Sequence, residues 1–110
     1  MTTIVFPGQG SQTEGMAKDF NDNFEIARLT FEEIEDITKI NIRKIIFENE
    51  ENKLNLTQFT QICIFATSYV IFKTYFSETN SNLNNINIMM GHSLGEYTAL
   101  ACSNKINLKL

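Results

Sequence analysis

Cysteine is scarce in this chain, cationic side chains are outnumbered, and no apolar run is long; each shortage excludes a class of protein. Cys63 and Cys102 are the two cysteines, both set in apolar stretches without a close partner. Neither a disulfide framework nor a zinc-binding spacing is therefore written here, and a reducing cytoplasm is the expected setting. Nine Lys and Arg stand against 13 Asp and Glu, a formal net charge of −4. That balance offers no basic footprint for nucleic acid or an anionic membrane surface. The run ICIFATSYVIF at 62–72 is interrupted by hydroxyls and falls short of the roughly 20 apolar residues a bilayer span requires, so it reads as a core helix. The N-terminus MTTIVFPGQG carries no charged leader ahead of an apolar segment, and no signal peptide is expected.

What is present is an ordinary globular composition, 43% hydrophobic and 20% charged, in 110 residues. This is one domain at most, residues 1–110, and small for an enzyme that must enclose two substrates. Two acidic runs, Glu32, Glu33, Glu35 and Asp36, then Glu48, Glu50 and Glu51, could hold a cation in principle. Solvated helix faces account for them more simply, and no metal site is expected.

Strand and helix patterns alternate along the chain. TTIVF at 2–6 is short, apolar and β-branched and is stopped by Pro7-Gly8, which predicts a buried strand ending in a tight loop, PGQGSQ. Residues 22–38 place Phe24, Ala27, Phe31 and Ile34 at helical spacing with Glu32, Glu33 and Asp36 outside, an amphipathic helix. A short helix follows at about 41–47, with Ile42, Ile45 and Ile46 on one side. From Thr60 to Phe76 the sequence is apolar on nearly every face, as befits a central helix. The polar linker SETNSNLNN then leads to a second buried strand, INIMM at 86–90. Two buried strands joined by long helical connections predict a parallel sheet and an α/β fold.

Directly after that second strand comes Gly91-His92-Ser93-Leu94-Gly95, and after it an apparent helix, EYTALACS. G-x-S-x-G between strand and helix is the setting of an α/β-hydrolase-like nucleophile elbow. The sharp turn projects the serine hydroxyl, and the helix N-terminus beneath offers unpaired N–H groups to a developing oxyanion. Ser93 and Glu96 also fit S-x-x-E, a capping box that closes the first turn of a helix without any chemistry. In a parallel sheet the loop Gly8-Gln9-Gly10-Ser11-Gln12 emerges at the same edge as Ser93. Its backbone N–H groups could then supply a second oxyanion donor beside that of Leu94.

FPGQGSQ at 6–12, LNLTQFTQ at 54–61 and GHSLGEYTALA at 91–101 together resemble the malonyl-CoA:acyl carrier protein transacylases and the related acyltransferase domains of polyketide synthases. The resemblance implies a ping-pong reaction in which a serine takes malonyl from coenzyme A as an ester and gives it to the phosphopantetheine thiol of acyl carrier protein, with no separate cofactor. It implies Ser93 as nucleophile, the backbone of Gln9 and Leu94 as oxyanion donors, and His92 and Gln61 as residues lining the site. Ile62 stands where the family usually has proline, which touches only the helix start. The family's general base is a second histidine, its carboxylate-binding arginine lies further on, and both are expected beyond residue 110, as is its ferredoxin-like small subdomain. His92 is the one histidine here, adjacent to Ser93 and expected to pack beneath the elbow, and Arg28 and Arg43 do not match the anchoring arginine. The chain thus reads as the N-terminal part of an acyltransferase domain, inactive in transfer when isolated. The alternatives are a serine esterase or patatin-like hydrolase, and a non-catalytic homologue that binds carrier protein.

Overall fold

The computed structural model describes residues 3–8, 10–79, 88–91, 98–99 and 102–103. Strand β1 (Thr3–Phe6) leads through a loop to helix α1 (Lys18–Asn23), then α2 (Glu25–Thr38), α3 (Ile42–Glu48), a 3-10 segment (Glu50–Asn55), the long helix α4 (Thr57–Thr79) and strand β2 (Ile88–Gly91). The strands pair in parallel in the register Thr3 with Ile88 through Phe6 with Gly91. Parallel neighbours need a long crossover, and the four helices between them provide it.

The expected helix at 22–38 is shorter: Phe24 is extended (φ −127, ψ 121), so α2 starts at Glu25 and the preceding residues form the separate helix α1. Ala27, Phe31 and Ile34 are buried as the spacing predicts. Lys39, in the left-handed region, closes α2 by donating its N–H to the Glu35 carbonyl. The predicted short helix appears as α3 with Ile42, Ile45 and Ile46 buried. Its Phe47 meets Phe31 edge-on at 6.1 Å.

Helix α4 is the core element, packed on by α2, α3 and the 3-10 segment. Cys63, Ile64, Ala66, Tyr69, Val70 and Phe72 are buried along it. The expected all-round burial does not hold, since Ile71 and Tyr75 remain 36% and 46% exposed on one face. Strand β1 departs from expectation in the same way: only Phe6 is buried, while Val5 is 64% exposed. Both residues belong to one cleft between β1 and α4, described below. Residues 86–87 of the predicted second strand lie outside the described residues; Ile88 to Gly91 form it, one residue longer at its end than the pattern indicated.

The acidic run on α2 is not uniformly solvated. Glu35 turns inward and takes Arg43 in a fork, Nη2 to Oε1 at 2.6 Å and Nε to Oε2 at 3.0 Å. It also accepts the Arg43 backbone N–H at 2.9 Å, which satisfies a free donor in the first turn of α3. The bond to Glu35, partly opposed by burial, raises the Arg43 pKa. This bidentate pair fixes the angle between α2 and α3. Among the described residues no group of acidic, Cys or His side chains could hold a metal ion, and no helix is long and apolar enough to cross a membrane.

Because both partners are largely shielded, Glu35→Ala should lower unfolding free energy by about 2 kcal/mol. Urea denaturation checks this, and Lys18→Ala, which removes an exposed pair with Asp22, should leave the urea midpoint essentially unchanged.

Candidate functional site

The end of β1 fixes where the site begins. Phe6 is buried against Phe72 of α4, ring centroids 6.0 Å apart, and Phe72 in turn lies 4.3 Å from Phe76. Past this anchor the chain passes Pro7 and the buried Gly8 and turns at Gly10, whose φ of +105 is costly for any residue with a side chain. Ser11 donates both its N–H (3.3 Å) and its hydroxyl (2.8 Å) to the Gly8 carbonyl. The Gly10 N–H donates to Gln12 Oε1 at 2.9 Å, and Gln12 Nε2 donates to Asn55 Oδ1 at 3.0 Å. Further on, the Gly15 N–H donates to the Ile46 carbonyl at 2.8 Å. The loop is thus tied at one point to the 3-10 segment and at another to α3.

The 3-10 segment is itself held by asparagines. Asn49, Glu51 and Asn52 adopt left-handed backbone, a region Asn tolerates better than other side-chained residues. Asn49 Oδ1 accepts the Leu54 N–H at 2.9 Å, and Asn55 Nδ2 donates to Asn52 Oδ1 at 2.7 Å. Thr60, wholly buried, donates its hydroxyl to the Leu54 carbonyl at 2.6 Å and so fastens the segment to α4. Gln61 follows, exposed near the N-terminal end of α4.

Phe6 pairs with Gly91, so β1 and β2 end side by side at one edge of the sheet, where the PGQGSQ loop and the GHSLG motif begin. Gln9, His92, Ser93 and Leu94 lie outside the described residues. Their neighbours are placed: Gly8 and Gly10 flank Gln9, and Gly91 closes β2 just before His92. Thr98, Ala99 and Cys102 are helical and buried, in line with the predicted helix after the motif. The roles of Gln12 and Asn55 escaped sequence reasoning; the spacing of three between Asn49, Asn52 and Asn55 was the available signal.

Alongside runs a cleft of about 460 Å³, bounded by Ile4, Val5 and Phe6 of β1, by Ile64, Ile71 and Phe72 of α4, and by Pro7 and Ser11 at the loop. Among the described residues its lining carries no cation to pair with an acyl carboxylate. Arg28 and Arg43 are occupied on α2 and α3, with Glu25 at 3.8 Å and with Glu35.

A protein-family model described as acyl transferase domain matches residues 3–109. The chain belongs to the acyl transferase domain family. It is 34% identical to the malonyl CoA-acyl carrier protein transacylase of Bacillus subtilis over 106 residues, which is 96% of this chain and 26% of that protein. The crystal structure of the Clostridium perfringens malonyl CoA-acyl carrier protein transacylase superposes with a TM-score of 0.88 at 36% identity, over 98% of this chain and 33% of that one. A malonyl-transacylase solved in complex with its type II polyketide synthase acyl carrier protein is likewise 36% identical, with a TM-score of 0.87 over 98% of this chain and 34% of that one. The chain therefore spans about a third or less of the relatives it matches, and its α/β fold is that of the corresponding part of their structures.

Acyl transfer needs a nucleophile, and the two thiols are poor ones. Burial pushes Cys63 up to about 11; it pushes Cys102 up to about 12 despite the opposing charge of Lys73. Both are therefore thiols rather than thiolates at neutral pH. In the unfolded chain each ionises near its ordinary value of 9.0. Since the folded values are higher, their contribution to stability is complete below pH 9 and is lost as pH rises through the folded values. Native protein at pH 8 should thus resist labelling by a disulfide reagent until denatured, and its urea midpoint should fall as pH is raised above 9, as a pH series of unfolding curves would register.

Proposed function

We propose that residues 1–110 form the N-terminal part of the acyltransferase domain of a malonyl-CoA:acyl carrier protein transacylase, acting in fatty acid synthesis or a related polyketide pathway. The observation that carries this reading is the parallel register of Phe6 with Gly91, which sends the PGQGSQ loop and the GHSLG motif out at the same end of the sheet. Together with the helical residues that follow the motif, this supports a nucleophile elbow on an α/β-hydrolase-like parallel sheet.

In this reading the Ser93 hydroxyl attacks the thioester carbonyl of malonyl-CoA while a base removes its proton. The oxyanion is met by the backbone N–H groups of Leu94 and Gln9, each worth roughly 3–4 kcal/mol in comparable sites. The tetrahedral species collapses with loss of the coenzyme A thiol and leaves malonyl on serine. The phosphopantetheine thiol of acyl carrier protein then attacks that ester and regenerates the hydroxyl. Gln61, exposed at the start of α4, and His92 line the site. Coenzyme A enters as the carrier of the substrate, and no resident cofactor takes part in these steps.

Two components come from outside the matched third. His92 directly precedes Ser93, and side chains adjacent on a sharp turn diverge; Arg43 is forked by Glu35, and Arg28 lies 3.8 Å from Glu25 in an exposed pair. In this reading a base and a carboxylate anchor come from further residues of the domain. The free buried thiols fit a cytoplasmic setting.

Protein expressed from its complete reading frame should, with malonyl-CoA, gain one malonyl group on the peptide containing Ser93 and pass it to acyl carrier protein. Ser93→Ala should abolish the adduct and lower transfer by about a thousandfold or more. Full transfer by that variant, or release of free malonate as the sole product, would reject the reading.

A further inference from the structure

The peptide units on both sides of Gln9 are held by side chains, and the hold leads to a distant element. Ser11 takes the Gly8 carbonyl with two donors. Gln12 takes the Gly10 N–H through Oε1 and passes the restraint through Nε2 to Asn55 Oδ1. A trans peptide unit is planar, so gripping its oxygen or its N–H orients the whole unit. Glycines at 8 and 10 leave this stretch free to adopt many backbone conformations, and restraint must come from elsewhere.

A primary amide suits the bridging position for a definite reason. Gln12 must accept from a backbone N–H and donate to a side-chain oxygen at once, which a carboxylate cannot do. Asn55 is held by its own bond to Asn52 and stands at the end of the 3-10 segment that runs into α4 and Gln61. The link therefore couples the loop after β1 to the helix that carries another site-lining residue.

We propose that Gln12 and Asn55 are positioning residues for acyl transfer, which keep the loop around Gln9 oriented toward the developing oxyanion. The proposal rests on the reading of Gln9 as an oxyanion donor. Since that charge forms only in the transition state, loosening the loop should lower kcat and leave KM for malonyl-CoA nearly unmoved.

The test uses protein expressed from its complete reading frame, comparing wild type, Gln12→Ala, Asn55→Ala and the double variant. Steady-state transfer is measured together with thermal unfolding and with hydrogen exchange of the Gly10 amide by NMR. Each alanine variant should lose about tenfold in kcat with KM within about twofold, and the double variant should lose no more than the worse single. Gln12→Ala should also speed exchange at Gly10. An active wild type with full kcat in Gln12→Ala, additive losses in the double variant, or losses that track Tm alone would overturn the positioning role and leave the transacylase reading standing. A wild type that neither takes nor transfers malonyl would remove that reading, and this proposal with it.

Discussion

Parallel pairing of two short strands, Thr3–Phe6 and Ile88–Gly91, is the constraint from which the rest of the arrangement follows. Parallel strands cannot be joined by a hairpin, so the chain must cross back over the sheet before it can pair again. Four helices make that crossing, and the longest of them, α4, is the surface on which the others pack. The geometric result is chemical: both strands end at one edge, and both glycine motifs of this acyl transferase domain start there.

The loop after β1 shows how a flexible sequence is held firm without a core of its own. Its apolar anchors are Phe6 on Phe72 at one end and the partly buried Met16 and Ala17 at the other. Between them its backbone conformation is fixed by polar contacts: Ser11 on the Gly8 carbonyl, Gln12 on the Gly10 N–H, and Gly15 on the Ile46 carbonyl. Such contacts are individually modest in water-exposed positions. Several of them acting on a few residues nonetheless limit the conformations available to glycine.

Much of this was legible in the residue pattern. The spacing of Ala27, Phe31 and Ile34 marked the buried face of α2, and Ile42, Ile45 and Ile46 marked that of α3, because a helix repeats its face every three to four residues. The parallel sheet followed from short apolar runs far apart in sequence. The break at Phe24 was not legible, since an aromatic residue at helical spacing looks the same whether it sits inside a helix or at the extended junction between two. Nor was the exposure of Val5, Ile71 and Tyr75, because an apolar side chain does not state what covers it. Glu35 was read with its solvated neighbours; only the approach of α3 turned it toward Arg43.

By itself the sequence determined the parallel α/β arrangement and the buried faces of α2 and α3, which depend on local periodicity. Tertiary structure alone decided that Glu35 of α2 takes Arg43 of α3 in a fork, and that Gln12 reaches Asn55 across 43 positions of chain. These are relations between residues distant in sequence, created by packing on α4, and no local pattern encodes the distance between them.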